Sequence, residues 1–385
     1  MKTVDQYSDS PFRTSSRAGR PLVNKSPLWW ATASVLLICS LFSEASADEE
    51  GDFMFTAYDQ SSRISTYRES VVIDKYKGSG VNVTIPDKIS GLPVKFIEHF
   101  AWENAGSVVS IKIPASLERI GFGFDKCTRL EKFDVETSNQ SFKAADGVLF
   151  SKDGRKLMRF PTARSGKYKI PDSTHVVYGA FSGVIGLTEI TIGKGVTLGD
   201  AMYGRSVFDG CATLENIFVD ADHAELRSID GILFDKEGKK LIQYPGGRKG
   251  HYDFPKGVIF DDYSKNGDAR VSPFCGSVGI TSIALPEGIK SARSGDFFGC
   301  QNLKEVKFPP SLEMIMNFSF KGCKSLTKVV FEGNAPSISR GAFKDSPNLM
   351  FVYYKGSSGF DKKWVENNGN LPVEAIEPPK SVKDQ

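Results

Sequence analysis

The chain has few of the residues that carry catalysis. Its 385 residues include 4 histidines and 6 cysteines, and no C-x-x-C pair or Cys/His cluster has the spacing of a zinc site. G-x-S-x-G, P-loop, G-x-G-x-x-G and H-E-x-x-H patterns are all missing, so the motif-bearing hydrolases, nucleotide-binding enzymes and metalloproteases find no support. His99, His175, His223 and His251 are scattered, and each is read as a surface or turn residue. The net charge of +3 is too small to steer the chain toward nucleic acid. No stretch of interleaved basic and aromatic residues supplies a nucleic-acid face. Beyond Phe42 no apolar run is long enough to span a bilayer. The expectation is therefore a protein with no catalytic residue, cofactor, metal or nucleic-acid partner. One segment offers a metal alternative: Asp262 to Asp268 places oxygens at alternate positions before a glycine, as half of a calcium loop does. Its closing position would be Pro273, not the bidentate Glu such loops use, and a solvated Asn-Gly turn is the simpler reading.

The first 47 residues differ in kind from the rest. Arg13, Arg17, Arg20 and Lys25 precede the apolar run Leu28 to Phe42, and Ala45-Ser46-Ala47 then supplies a small-x-small cleavage signal ahead of Asp48-Glu49-Glu50. This order predicts a secretory signal peptide over 1–47, cleaved after Ala47, and a secreted, cell-surface or periplasmic destination with no membrane span once it is removed. An uncleaved signal-anchor helix is the alternative. The apolar run is shorter than the roughly 20 residues a spanning helix needs.

What is present is a degenerate repeat, F-x-x-[small]-x-x-L-x-x-I-x-I, readable eight times. Its aromatic position holds Trp102, Phe124, Phe181, Phe208, Phe274, Phe297, Phe320 and Phe343. A period near 23 residues decides the architecture, because one such unit cannot bury its apolar side alone while stacked units can. The Leu-x-x-Ile-x-Ile part reads as a short strand with its apolar residues inward. The aromatic ring plugs the interior, and proline often ends the strand, as at Pro114, Pro286 and Pro309. The expected fold is a β-rich solenoid over 85–354 with about eight repeats of 22–25 residues, an N-terminal cap over 48–84, a C-terminal cap over 355–377 and a disordered tail over 378–385.

Two insertions, at about 136–175 and 220–257, interrupt the repeat. They match each other at a spacing of 84: Asp146-Gly147-Val148-Leu149-Phe150 pairs with Asp230-Gly231-Ile232-Leu233-Phe234, and Pro161, Tyr168 and Pro171 with Pro245, Tyr252 and Pro255. Asp-Gly between alternating runs predicts a β-hairpin in each.

Export would favour paired cysteines, but the repeat frame argues otherwise. Cys127, Cys211, Cys300 and Cys323 all fall on the [small] position, which elsewhere holds Ala105, Val184, Ser277 and Ser346. A slot that accepts Ala, Val, Ser and Cys is a volume constraint, and no disulfide framework is expected. Cys300 and Cys323, in adjacent turns, are the one pair placed to bridge. Cys275 is off this frame, one residue after its Phe, and is the candidate exposed thiol.

The phrase F-x-G-C, at Phe208 to Cys211, Phe297 to Cys300 and Phe320 to Cys323, resembles the BspA-type leucine-rich repeat. The hairpin phrase D-G-[VI]-L-F-x-K-x-G-x-K-L and the opening around Ile85-Pro86 and Gly91-Leu92-Pro93 are similar to that family as well. The resemblance spans roughly 65–375 and implies a right-handed β-rich leucine-rich-repeat solenoid on an exported or surface protein. It also implies adhesion to host proteins or matrix, or coaggregation. It supplies no catalytic residue and no particular ligand.

Strand geometry then places the search for a site between the inward anchors. The outward positions read Ser110 and Lys112, Lys132 and Asp134, Glu189 and Thr191, Asn216 and Phe218, Ser282 and Ala284, Glu305 and Lys307, Lys328 and Val330, Phe351 and Tyr353. Lys307, Lys328, Val330, Phe351 and Tyr353 would thus form an aromatic patch with a basic rim. The competing expectation is that the C-terminal cap folds over it. The functional expectation is a non-enzymatic exported binding protein for a protein or glycan, with a structural spacer as the alternative.

Overall fold

A computed structural model describes residues 47–60, 67–121, 124, 126–199, 207–259 and 272–379. Residues 1–46 of the expected signal peptide, the Asp262 to Asp268 calcium candidate and residues 380–385 of the expected disordered tail lie outside the described residues. The rest is a β-solenoid with almost no helix.

Its spine is a ladder of parallel strands in three sheets. The first sheet holds Asn82–Thr84, Ser110–Ile113 and Lys132–Val135. The second holds Gly166–Lys169, Leu187–Ile192 and Asn216–Val219. The third runs from Gly250–Asp253 through Ile280–Ala284, Glu305–Phe308, Lys328–Phe331 and Met350–Tyr354 to Val373–Ile376. Short strands such as Ser291–Ala292, Met314–Ile315 and Ser337–Ile338 form a second parallel ladder. Parallel register stacks like on like: Ile283, Val306 and Val329 face each other across successive rungs, at most 1% exposed. The Val81 to Ile85 run, read with the cap from the sequence, forms Asn82–Thr84 and pairs with Ser110–Ile113, so it opens the spine. The antiparallel strands Ala47–Glu50, Phe53–Tyr58 and Ser70–Tyr76 precede it.

The aromatic anchors stack along the interior. Phe274, Phe297, Phe320 and Phe343 follow each other at centroid separations of 5.2, 4.8 and 5.1 Å. Burial of each such ring is worth roughly 1.5–3 kcal/mol.

The insertions interrupt the strand ladder, which divides into its three sheets at these points, but each also adds residues to the turn that follows. Each opens with a tight hairpin whose Asp-Gly pair has both φ angles positive, 49° and 72° at Asp146-Gly147 and 50° and 72° at Asp230-Gly231, the two-residue turn that suits strand twist. Each then supplies its own ring. Phe160 stacks on Phe181 at 5.1 Å and Tyr244 on Phe274 at 5.0 Å. Tyr168 and Tyr252 take the inward strand position opposite Ile190 and Ile283. The insertions are modified turns of the solenoid, with glycines (Gly166, Gly250) where the repeat has leucine.

A bidentate clamp holds each hairpin to its turn. Arg164 donates to the backbone carbonyl and carboxylate of Asp146, and Arg248 does the same to Asp230. The guanidinium of Arg164 also lies 5.6 Å over Phe160 and 5.8 Å over Tyr168.

At the C-terminal end, helix α1 (Lys362–Asn367) is capped by Asp361, whose carboxylate accepts from the Trp364 amide at 2.8 Å. Its Trp364 indole donates to the Pro336 carbonyl at 2.8 Å and packs edge-on against Phe351 at 5.4 Å.

Candidate binding surface

The patch expected from the sequence is not assembled. From Phe320 the repeat runs six residues to Leu326 and three more to Val329, but from Phe343 it runs six to Leu349 and only two to Phe351. The sheet therefore pairs Val329 with Phe351 and Phe331 with Tyr353. A one-residue slip moves a whole strand's side chains to the other face. Phe351 points inward and is 1% exposed, between Phe331, Phe343 and Trp364. Tyr353 stacks on Phe360 at 4.2 Å.

Lys307, Lys328 and Val330 do lie on the outer face, yet Val330 is buried. Its rung neighbour Lys307 pairs with Glu332 at 2.5 Å and lies 5.9 Å over the Tyr354 ring. The bond to Glu332 raises the Lys307 ammonium above its usual pKa. Lys328 pairs with Glu305 at 3.5 Å. Much of this face is spent on such pairs, including Lys112 with Glu136 at 3.3 Å and Lys167 with Glu189 at 2.9 Å.

One polar chain on the same face resembles a hydrolytic triad in composition. His251 contacts Ser282 Oγ through Nδ1 at 2.8 Å and Asp253 Oδ1 through Nε2 at 3.0 Å. Geometry argues against acyl-transfer chemistry. The histidine side chain is 51% exposed, and Ile280–Ala284 lies between two parallel partners, so its amides are spent in the sheet and not on an oxyanion.

His223 departs from the sequence reading, because it is buried. It is the counterpart, 84 residues on, of Asn139. Asn139 donates to the carbonyls of Pro114 and Leu117 and accepts from the amides of Ser141 and Phe142. His223 repeats this: Nδ1 faces the amides of Glu225 and Leu226 at 3.2 and 3.1 Å, and Nε2 lies 2.8 Å from the Val196 carbonyl. Two facing donors make Nδ1 the acceptor, so Nε2 carries the hydrogen. His223→Asn is expected to leave the urea midpoint nearly unchanged. His223→Ala, which orphans these groups, is expected to cost about 1–3 kcal/mol.

The [small] slot proves to be more than a volume constraint. Cys211, Cys300 and Cys323 each point their thiol at the carbonyl of an aromatic anchor, Phe181, Phe274 and Phe297 respectively, at 3.1 Å. Burial drives the Cys211 and Cys300 thiols upward in pKa, which keeps them as donors and unreactive. Cys275 is in no disulfide and is partly exposed, at the corner just after its ring.

That corner carries the surface the sequence reading missed. Residues directly after each anchor form a column, and backbone bonds link the glycines that follow: Gly276 to Phe298, Gly299 to Lys321, Gly322 to Lys344. Cys275, Phe298, Lys321 and Lys344 therefore lie on adjacent turns. Phe298 is 38% exposed. The Lys321 ammonium sits between two rings, 5.6 Å from Phe298 and 5.3 Å from Phe318. Phe318 adopts φ 61° where the preceding turn has Gly295 at φ 83°. A bulky residue in this region is strained. Gly341 makes room for it, since a Cβ there would come within 3.1 Å of the Phe318 ring. Two signals could have exposed this surface: the doubled Phe297-Phe298, and a phenylalanine in a glycine column.

The BspA type leucine rich repeat region matches residues 58–151 and 270–371, in 6 copies. The chain belongs to the BspA-type leucine-rich repeat family. Similar solved structures include a leucine rich cell surface protein from Faecalibacterium prausnitzii A2-165, 19% identical, with 88% of this chain and 96% of that one covered and a TM-score of 0.41. A leucine-rich repeat protein from Eubacterium ventriosum ATCC 27560 is 16% identical, with 88% and 97% covered and a TM-score of 0.40. No curated protein matches the chain. Among the described residues of this BspA-type chain, no helix is long and apolar enough to cross a membrane. Phe298, Phe318 and Lys321 fall within the second matched stretch of repeats.

Proposed function

We propose that this BspA-type chain is an exported, non-enzymatic binding protein that engages a protein or glycan at the cell envelope or outside the cell. The Phe298–Lys321–Phe318 corner is the observation that carries this reading. Solenoid turns have little structural use for an exposed ring, and a phenylalanine held at φ 61° costs stability that a glycine there would not. Aromatic rings around a cation are also the composition of interface hot spots.

The test separates binding from folding, because Phe318→Gly restores the residue type that the backbone favours. The chain and its Phe298→Ala/Phe318→Gly variant are compared by surface plasmon resonance against purified extracellular-matrix proteins and cell-surface polysaccharides. At least one partner is expected to bind the parent and to weaken tenfold or more with the variant. Phe318→Gly alone is expected to leave Tm unchanged or raised. Equal binding by both proteins, or a panel that binds neither, would favour a spacer role instead.

A further inference from the structure

The aromatic stack ends at Phe343, and it ends open. Its three predecessors, Phe274, Phe297 and Phe320, are 0% exposed, whereas Phe343 is only partly buried. Successive planes in this run meet at 20°, 3° and 13°, so each ring offers the next a parallel face. The C-terminal cap does not take that place. Its Trp364 packs instead on Phe331, Phe351 and Phe360. Beside Phe343 a cavity of about 580 Å³ remains, walled by Ile338, Phe351 and Leu371. That volume lies in the range of small-ligand sites, roughly 300–1,000 Å³, and the lining mixes these apolar side chains with polar ones.

The mouth is positively biased. Arg340 and Lys344 line it, both exposed and in no ion pair among the described residues. Glu366, the acidic residue that also lines it, lies 3.8 Å from Lys362 on its own helix and is offset there. Lys344 is the next member of the corner column after Lys321, so the cavity adjoins the aromatic corner.

We propose that this cavity binds an aromatic side chain flanked by carboxylates, presented by an acidic segment of a partner protein. The ring would lie on Phe343 as the next member of the stack, and the carboxylates would meet Arg340 and Lys344. Such anchors are what interface pockets commonly hold. The inference rests on the binding-protein reading above and names the partner's chemistry.

Fluorescence anisotropy with the full chain tests it using three labelled pentapeptides: tryptophan between paired acidic residues, alanine in the same acidic frame, and tryptophan between paired lysines. Saturable binding is expected for the first, and at least tenfold weaker binding for the other two. Arg340→Glu/Lys344→Glu and the cavity-filling Leu371→Trp should each weaken the first peptide tenfold or more, the former with Tm unchanged. Equal affinity for the tryptophan and alanine acidic peptides would overturn the proposal, since charge alone would then explain the binding. So would the absence of saturable binding to the acidic tryptophan peptide. If partner binding dependent on Phe298 and Phe318 persists in that case, the general reading survives and only the cavity assignment falls. Displacement of the peptide from this cavity by a neutral oligosaccharide, at lower concentration than by unlabelled peptide, also overturns it.

Discussion

Replacing Phe320 by Ala is expected to cost about 3–5 kcal/mol, the range for deleting a fully buried phenylalanine. The ring is 0% exposed and stacked on both faces, against Phe297 at 4.8 Å and Phe343 at 5.1 Å, with Phe308 edge-on at 6.0 Å. Neighbouring turns hold both flanking rings in place, so the vacancy cannot collapse easily. The effect should also be local. A solenoid turn contacts only its neighbours, and the core divides into three clusters, with Phe320 in the one that runs from Ile232 to Phe351. Urea unfolding followed by circular dichroism, with hydrogen exchange on the amides of Val306 and Val329, checks both parts. These amides should lose protection before those of Ile111 and Ile190, which belong to the other clusters. Phe343→Ala, at the open end of the stack, should cost less. A loss under about 1 kcal/mol at Phe320, or uniform loss of protection along the chain, would show that the stack does not govern stability as argued.

The repeat frame was legible because eight copies carried the ring, a small residue and an aliphatic residue (leucine in six of them) together. The insertions were legible as hairpins, since Asp146-Gly147 and Asp230-Gly231 suit a turn with both φ positive. Their second halves were not, because Gly166 and Gly250 stand where leucine marks a strand entry, and Tyr168 and Tyr252 where isoleucine marks its core. Only pairing reveals that these residues occupy rungs. The expected patch failed on one deleted residue between Leu349 and Phe351: a pattern of period two has no defence against a slip of one. The corner of Phe298, Phe318 and Lys321 was hidden for another reason. Its meaning comes from columns formed by residues 23 apart, where Gly295, Phe318 and Gly341 stand in line, and a linear reading weighs neighbours in sequence first.

The same columns make the tyrosines of the insertions vulnerable to alkali. Burial pushes the hydroxyls of Tyr168 and Tyr244 up to about 12, and that of Tyr252 upward by the same cause. The unfolded chain releases these protons near pH 10. Above that pH the unfolded state holds fewer protons than the folded one, so stability falls as pH rises from about 10 to about 12, and nothing is lost below. Each group contributes up to about 1.4 kcal/mol per pH unit in that window, so Tyr168 and Tyr244 together account for up to about 5 kcal/mol. Lys307 adds in the same direction, because its raised value lets its pairing with Glu332 persist until higher pH and then lapse. Calorimetric Tm measured from pH 8 to 12, with tyrosinate absorbance followed in parallel, should show a level region and then a steep fall in which ionisation and unfolding coincide. Tyr252→Phe sharpens the test. The Tyr252 hydroxyl is buried without a hydrogen-bond partner, so its removal should leave stability at neutral pH unchanged or raised while making the alkaline fall shallower. A Tm that stays level through pH 12, or tyrosines that ionise fully near pH 10 while the fold persists, would mean that water reaches these rings and that the inward rungs of the insertions are not packed as described.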